Sequence, residues 1–153
     1  MNFIDLFKQQ EQLTSKGITL REDMNKRIKS VIDNGKYILG PEVEILEKTL
    51  AKYVEVSNCI AVSSGTDALL IALLALDIGP GDEVITTPFS FISTAEAIAL
   101  IGAKPIFVDI EEETYNIDPT KIEKAITTAT KAIIAVSLYG QPADFYSINK
   151  IAI

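Results

Sequence analysis

The chain has 153 residues, 48% hydrophobic and 23% charged, with a net charge of −7, so it can build a globular core and carries no compositional sign of disorder. No basic run exceeds two residues (Lys26-Arg27), so the cationic footprint of a nucleic-acid binder is missing. Histidine is absent and Cys59 is the single cysteine, which excludes Ser-His triads, His-ligated metals and thiolate zinc clusters; no metal site is expected.

From 18 to 33, Ile18, Leu20, Met24, Ile28, Val31 and Ile32 recur every three or four positions, which predicts an amphipathic helix stopped by Asn34-Gly35. It reads as an arm on the surface of something larger. Tyr37-Ile38-Leu39-Gly40 is a short apolar link, and Pro41 suits the first position of a second helix with Val43, Leu46, Leu50 and Val54 on one side. A first strand is expected over 58–62. The turn at Ser63 then leads into a helix over 66–76, apolar at nearly every position from Ala68 onward, which must be covered by more than one layer. Ile78-Gly79-Pro80-Gly81-Asp82 reads as a turn and 83–87 as a second strand. Ser93-Thr94-Ala95-Glu96 reads as a capping box opening a helix that stops at Gly102. A third strand is expected over 104–109. Asp118-Pro119 supplies an N-cap and a first-turn proline for a helix through Ile122, Ala125 and Ile126, followed by a fourth strand over 132–138 and a last helix over 146–153.

Strands separated by helices in this way make βαβ units, hence an α/β fold with a mostly parallel sheet and helices on both faces. Ligands in such sheets bind beyond the carboxyl ends of the strands, where the loops 63–67, 87–94 and 137–144 fall. The first of these carries Ser63-Ser64-Gly65-Thr66-Asp67. A helix start has unpaired N–H groups and partial positive charge, and Gly65 removes the side chain that would block an anion, so the stretch can hold a phosphate; a plain helix cap is the competing reading. Phe89 and Phe91 flank Ser90 where a planar ligand could stack, although core packing is the simpler reading of either ring alone. Tyr139-Gly140-Gln141-Pro142-Ala143-Asp144 brings phenol, amide and carboxylate together after a strand and stays open between a site and an ordinary turn. Asp109 and Asp118 most simply cap or end elements. Neither G-x-G-x-x-G nor G-x-x-x-x-G-K-[ST] is present, so a dinucleotide fingerprint and an ordinary P-loop are unsupported. No charged-then-apolar leader precedes Phe3-Ile4-Asp5-Leu6, and one cysteine cannot close an internal disulfide, so a reducing cytoplasm is the expected compartment. The longest apolar stretch, 68–76, falls short of the roughly 20 residues of a membrane span.

Six segments together resemble the DegT/DnrJ/EryC1/StrS sugar aminotransferases in order and spacing. They are Tyr37-Ile38-Leu39-Gly40-Pro41-Glu42-Val43, Ser64-Gly65-Thr66-Asp67-Ala68-Leu69, Gly79-Pro80-Gly81-Asp82-Glu83-Val84-Ile85-Thr86, Gly102-Ala103-Lys104-Pro105 with Phe107-Val108-Asp109-Ile110, Thr114-Tyr115-Asn116-Ile117-Asp118-Pro119, and Leu138-Tyr139-Gly140-Gln141-Pro142-Ala143-Asp144. Family members are pyridoxal 5'-phosphate enzymes that aminate keto groups on nucleotide-linked sugars. Phe3-Ile4-Asp5-Leu6 and Val136-Ser137-Leu138-Tyr139-Gly140-Gln141 are most similar to members that aminate the 3-oxo position of a UDP-linked N-acetylated glucuronic acid.

The resemblance implies an aspartate-aminotransferase-like fold (fold type I), with 1–57 as an N-terminal helical arm and 58–153 as an incomplete cofactor-binding large domain. It implies that Gly65 and Thr66 hold the cofactor phosphate through backbone N–H groups and a hydroxyl, and that Phe91 stacks on the pyridine ring. A homodimer, a nucleotide-sugar substrate, glutamate as the usual amino donor and a setting in polysaccharide biosynthesis are implied in the same way. In the family, the aspartate that pairs with the pyridine nitrogen and the lysine that carries the cofactor come after the helix that begins here at Tyr146. The chain ends at Ile153, and none of Lys104, Lys121, Lys131 and Lys150 matches the lysine's position. The expectation is therefore the N-terminal portion of such an enzyme, with no catalytic residue of its own, inactive alone, and without the rest of the large domain or the small C-terminal domain. The alternatives are a dehydratase of the same superfamily, which works with the aminated cofactor and has histidine in place of the lysine, and a non-catalytic binding or partner protein. A chain of this kind is expected to expose apolar surface and to be oligomeric or poorly soluble by itself.

Overall fold

The computed structural model describes residues 4–152, so Phe3 of the opening motif and the expected helix end at Ile153 lie outside the described residues. The chain divides into two compact units, Met1–Ala61 and Val62–Ile153.

The first unit is helical, with α1 (Leu6–Gln10), α2 (Leu20–Asn34) and α3 (Pro41–Tyr53). A reciprocal cap fixes the start of α2: Thr19 Oγ1 accepts from the Glu22 N–H at 3.2 Å, and the Glu22 carboxylate accepts from the Thr19 N–H at 2.8 Å. It stops at Gly35, whose φ of 64° is left-handed, as the Asn-Gly signal predicts. Between the two long helices, a Cβ on Gly40 would lie 2.3 Å from the Lys36 carbonyl oxygen, so this turn admits only glycine. Pro41 opens α3 as expected. The strand expected over 58–62 does not form. A strand exists only through a hydrogen-bonded neighbour, and the tie in this stretch is instead from the Ala61 N–H to the Glu47 carboxylate at 2.7 Å.

The second unit holds a three-stranded parallel sheet made of β1 (Glu83–Thr86), β2 (Lys104–Phe107) and β3 (Thr130–Ile133), in the order β2-β1-β3. Neighbouring residues of β1 point to opposite faces, and both are fully buried. Val84 packs with Leu73 of α4 (Gly65–Ala75) and with Ala97 and Ile98 of α5 (Ser93–Leu100). Ile85 packs with Ile122 of α6 (Pro119–Ala125) and Ile148 of α7 (Phe145–Ile151). Helices therefore cover both faces, which is the α/β arrangement read from the sequence.

Three local expectations change. The helix after the serine turn starts at Gly65 and is less covered than its composition implies: Leu73 is buried, while Ile71, Leu74 and Leu76 are exposed, because the helix that packs on α4 is α5. Ser93 does not form the expected capping box. Ile92 already has helical φ and ψ, so Ser93 sits inside the helix and the Glu96 N–H bonds the Ile92 carbonyl instead. The fourth expected strand is shifted toward the N-terminus, since its pairing with β1 ends where the Ile134 N–H meets the Ile85 carbonyl at 2.8 Å. Beyond it the chain enters a 3₁₀ turn, Leu138–Gly140.

Ile98 lies fully buried against Val84, so Ile98→Ala should destabilise the second unit by about 2–5 kcal/mol through lost burial and a residual cavity, as measured by urea denaturation. A loss under about 0.5 kcal/mol would show that this face of the sheet is not the core.

Candidate functional site

At the start of α4, Ser64 is the N-cap and accepts from the Asp67 N–H at 3.1 Å. Both Ser63 and Ser64 donate their hydroxyls to the same oxygen of Asp67, Ser64 at 2.8 Å. Those two hydroxyls are therefore spoken for. The N–H groups of Gly65 and Thr66 and the Thr66 hydroxyl have no hydrogen-bond partner among the described residues. A Cβ built on Gly65 would meet nothing within 4 Å, so the approach to these donors is open. The arrangement can receive an anion through two backbone donors and one hydroxyl, at the positive end of an 11-residue helix.

Hydroxyl donation, from Ser63 first and then Ser64, holds the Asp67 carboxyl below its ordinary range. Because the folded value is the depressed one, the contribution of these bonds to stability is present above the ordinary aspartate range and is lost as pH falls through the depressed value.

The loop after β1 carries the expected aromatic pair. Thr87 is buried and its hydroxyl accepts from the Phe89 N–H at 3.2 Å, which starts a tight turn. Phe91 follows, 74% exposed, which overturns the core reading for this ring and leaves its face available. It directly precedes α5, the helix packed on α4, so the structure carries Gly65, Thr66 and Phe91 on adjoining elements of one unit. Phe89 instead joins an aromatic cluster: it stacks on Tyr115 with centroids 5.8 Å apart, and Tyr115 meets Tyr139 edge-on at 6.0 Å. A cleft of about 270 Å³ opens beside it, lined by Pro88, Phe89, Ser90, Leu138 and Tyr139, none of them charged.

Asp118 caps α6, accepting from the Thr120 N–H at 2.9 Å, and Asp109 accepts from the Ile110 N–H, so both serve the fold as expected. The residue that sequence reasoning passed over is Asn116. It is buried, its Oδ1 accepts from the Leu138 N–H at 2.8 Å, and its Nδ2 donates to the carbonyls of Gln141 and Pro142. Its partners are more than 20 positions away, so no local pattern announces it.

The sequence profile of the DegT/DnrJ/EryC1/StrS aminotransferase family matches residues 19–153. The chain belongs to this family. It is 53% identical over 152 residues to the UDP-2-acetamido-2-deoxy-3-oxo-D-glucuronate aminotransferase of Pseudomonas aeruginosa, a match covering 99% of this chain and the N-terminal 40% of that protein. A DegT/DnrJ/EryC1/StrS aminotransferase from Brucella abortus superposes with a TM-score of 0.91 at 40% identity, covering 99% of this chain and 41% of the other. NtdA of Bacillus subtilis, solved with bound PMP, gives 0.87 at 42% identity, covering 99% and 34%. The chain thus spans about two fifths or less of the length of these DegT/DnrJ/EryC1/StrS relatives. Among the described residues, no helix is long and apolar enough to cross a membrane.

Ser64→Ala removes the N-cap of α4 and one donor to Asp67, so we expect a stability loss of about 1 kcal/mol in urea. The Asp67 titration midpoint, followed by its carboxyl carbon shift, should rise toward the ordinary value in the same variant. An unmoved midpoint would remove the Ser64 hydroxyl as a cause of the depression and leave it to Ser63, the larger of the two.

Proposed function

We propose that this chain supplies the phosphate-holding and ring-stacking part of a pyridoxal 5'-phosphate-dependent sugar aminotransferase, which moves an amino group from glutamate to the 3-keto carbon of a UDP-linked sugar. The observation that carries this reading is the start of α4, where two backbone N–H groups and the Thr66 hydroxyl stay free while both neighbouring serines are taken up by Asp67. The donor set suits a phosphate: charge-assisted N–H and O–H bonds at a helix start hold a phosphate ester without needing a lysine. Open space at Gly65 lets an oxygen approach the backbone. Family membership and 53% identity to an enzyme named for a UDP-linked 3-oxo sugar support the substrate class.

When bound, the cofactor supplies an electron sink for the carbon that loses its proton. Gly65 and Thr66 anchor its phosphate end and so fix its orientation. Phe91 offers an exposed ring to one face of the pyridine, aligning it and shedding water from that face. On this reading 1–57 is a helical arm and 58–153 the first part of the cofactor-binding large domain. The residue that carries the cofactor and the acid that pairs with its ring nitrogen belong to a further stretch of polypeptide, so this chain alone binds but does not turn over. Exposed Ile71 and Leu74 on α4, with Leu76 at its C-cap, support a homodimeric parent. Free, half-buried Cys59 suits a reducing cytoplasm.

Titration with pyridoxal 5'-phosphate, followed by the cofactor's absorbance and by phosphorus NMR, tests the reading. Wild type should bind, and Thr66→Ala and Phe91→Ala should each bind about tenfold more weakly, equivalent to about 1.4 kcal/mol. Equal affinity in all three would move the cofactor elsewhere. Incubation with glutamate, cofactor and a UDP-linked 3-keto sugar should give no amino sugar from this chain alone; product formation would refute its inactivity.

A further inference from the structure

Asn116 is 3% exposed, and its side-chain amide is engaged on both sides. Leu138 N–H donates to Oδ1 at 2.8 Å, while Nδ2 donates to the carbonyl oxygens of Gln141 at 3.1 Å and Pro142 at 3.3 Å. One amide therefore clamps both ends of the loop 138–142. Between the clamp points, Tyr139 and Gly140 are left-handed, with φ of 55° and 81°. A tyrosine holds that conformation only where its surroundings over-determine it. Tyr115, the neighbour of Asn116, is itself left-handed at φ 59°, and its ring lies against both Phe89 and Tyr139. The pair Tyr115-Asn116 thus grips the loop twice, once through its backbone and once through its aromatic ring.

We infer that Asn116 is a positioning residue: by clamping 138–142 it sets Tyr139 as the wall that faces Phe89 across the aromatic cleft beside the Phe91 loop. Its amide is suited to this because it offers one acceptor to an N–H and two donor hydrogens to two carbonyls. No other side chain of that size supplies the same set. Aspartate, its nearest match in shape, keeps the acceptor but turns a second oxygen toward the two carbonyls. Serine keeps a hydroxyl but cannot span all three groups.

The test compares amide exchange by NMR in wild type, Asn116→Asp and Asn116→Ser. In the aspartate variant the Leu138 amide should stay protected while the Gln141 amide, bonded to the Leu138 carbonyl, exchanges about tenfold faster. In the serine variant both should speed up, and Ile85 in the central strand should not change in either. This split signature is one that a residue merely filling space would not give. Unchanged loop exchange would overturn the inference, as would equal acceleration at Ile85, since Asn116 would then hold the fold and not the loop. A second arm, resting on the cofactor reading above, measures pyridoxal 5'-phosphate affinity in the same proteins. Both variants should bind about tenfold more weakly. A loosened loop with unchanged affinity would overturn the positioning role at the site. If wild type itself does not bind, the cofactor reading fails separately and the exchange arm alone decides the clamp.

Discussion

A short strand hydrogen-bonded on both edges governs the second unit. Because β1 pairs in parallel with β2 on one side and β3 on the other, it has no solvent-facing side and no free edge. Val84 and Ile85 must then be apolar, and each needs a helical layer over it, which α4 and α5 provide on one face and α6 and α7 on the other. Parallel pairing also forces every strand to end at the same side of the sheet. The loops that follow β1 and β3 consequently emerge next to each other, and Phe89, Tyr115 and Tyr139 meet there.

The two chemical features of the unit are built by different means. At the start of α4 the working groups are backbone donors, made available by the geometry of a helix end and by a glycine with empty space beside it. Selection among the hydroxyls comes from Asp67, which draws in Ser63 and Ser64 but not Thr66. The aromatic cleft depends instead on long-range packing, with a buried amide and a strained turn setting one of its walls. Local chain conformation makes the first feature; tertiary structure makes the second.

That difference explains what the sequence disclosed. Pro41, Gly35, Asp118 and Gly65 were legible because a cap or a turn is decided by a few neighbouring residues. The run 58–62 looked like a strand by composition, but a strand also needs a partner, and composition says nothing of partners. Ser93 and Glu96 have the spacing of a capping box, yet Ile92 adopts helical angles and moves the helix start past it. An all-apolar helix reports how much cover it can accept, not how much it receives, and α4 keeps Ile71 and Leu74 exposed. Gly65, Thr66 and Phe91 gain their expected roles only through family resemblance, and the structure adds that the backbone donors and the ring face are free. Asn116 escaped notice because its three partners are brought to it only by the completed fold.

The pairing order of the sheet also has a kinetic side. β1 meets β2 after a single short helix, but its other edge is matched only when the chain reaches Thr130. During synthesis at roughly 5–20 residues per second, that edge stays bare for an interval on the order of seconds after β1 and β2 have emerged. A hydrophobic strand with open N–H and C=O groups is then a template for a neighbouring nascent chain as much as for β3. The segment from α6 to β3 is thus also the element that closes a window for misassembly, and the shortness of β1, only four residues, limits what can be captured through it.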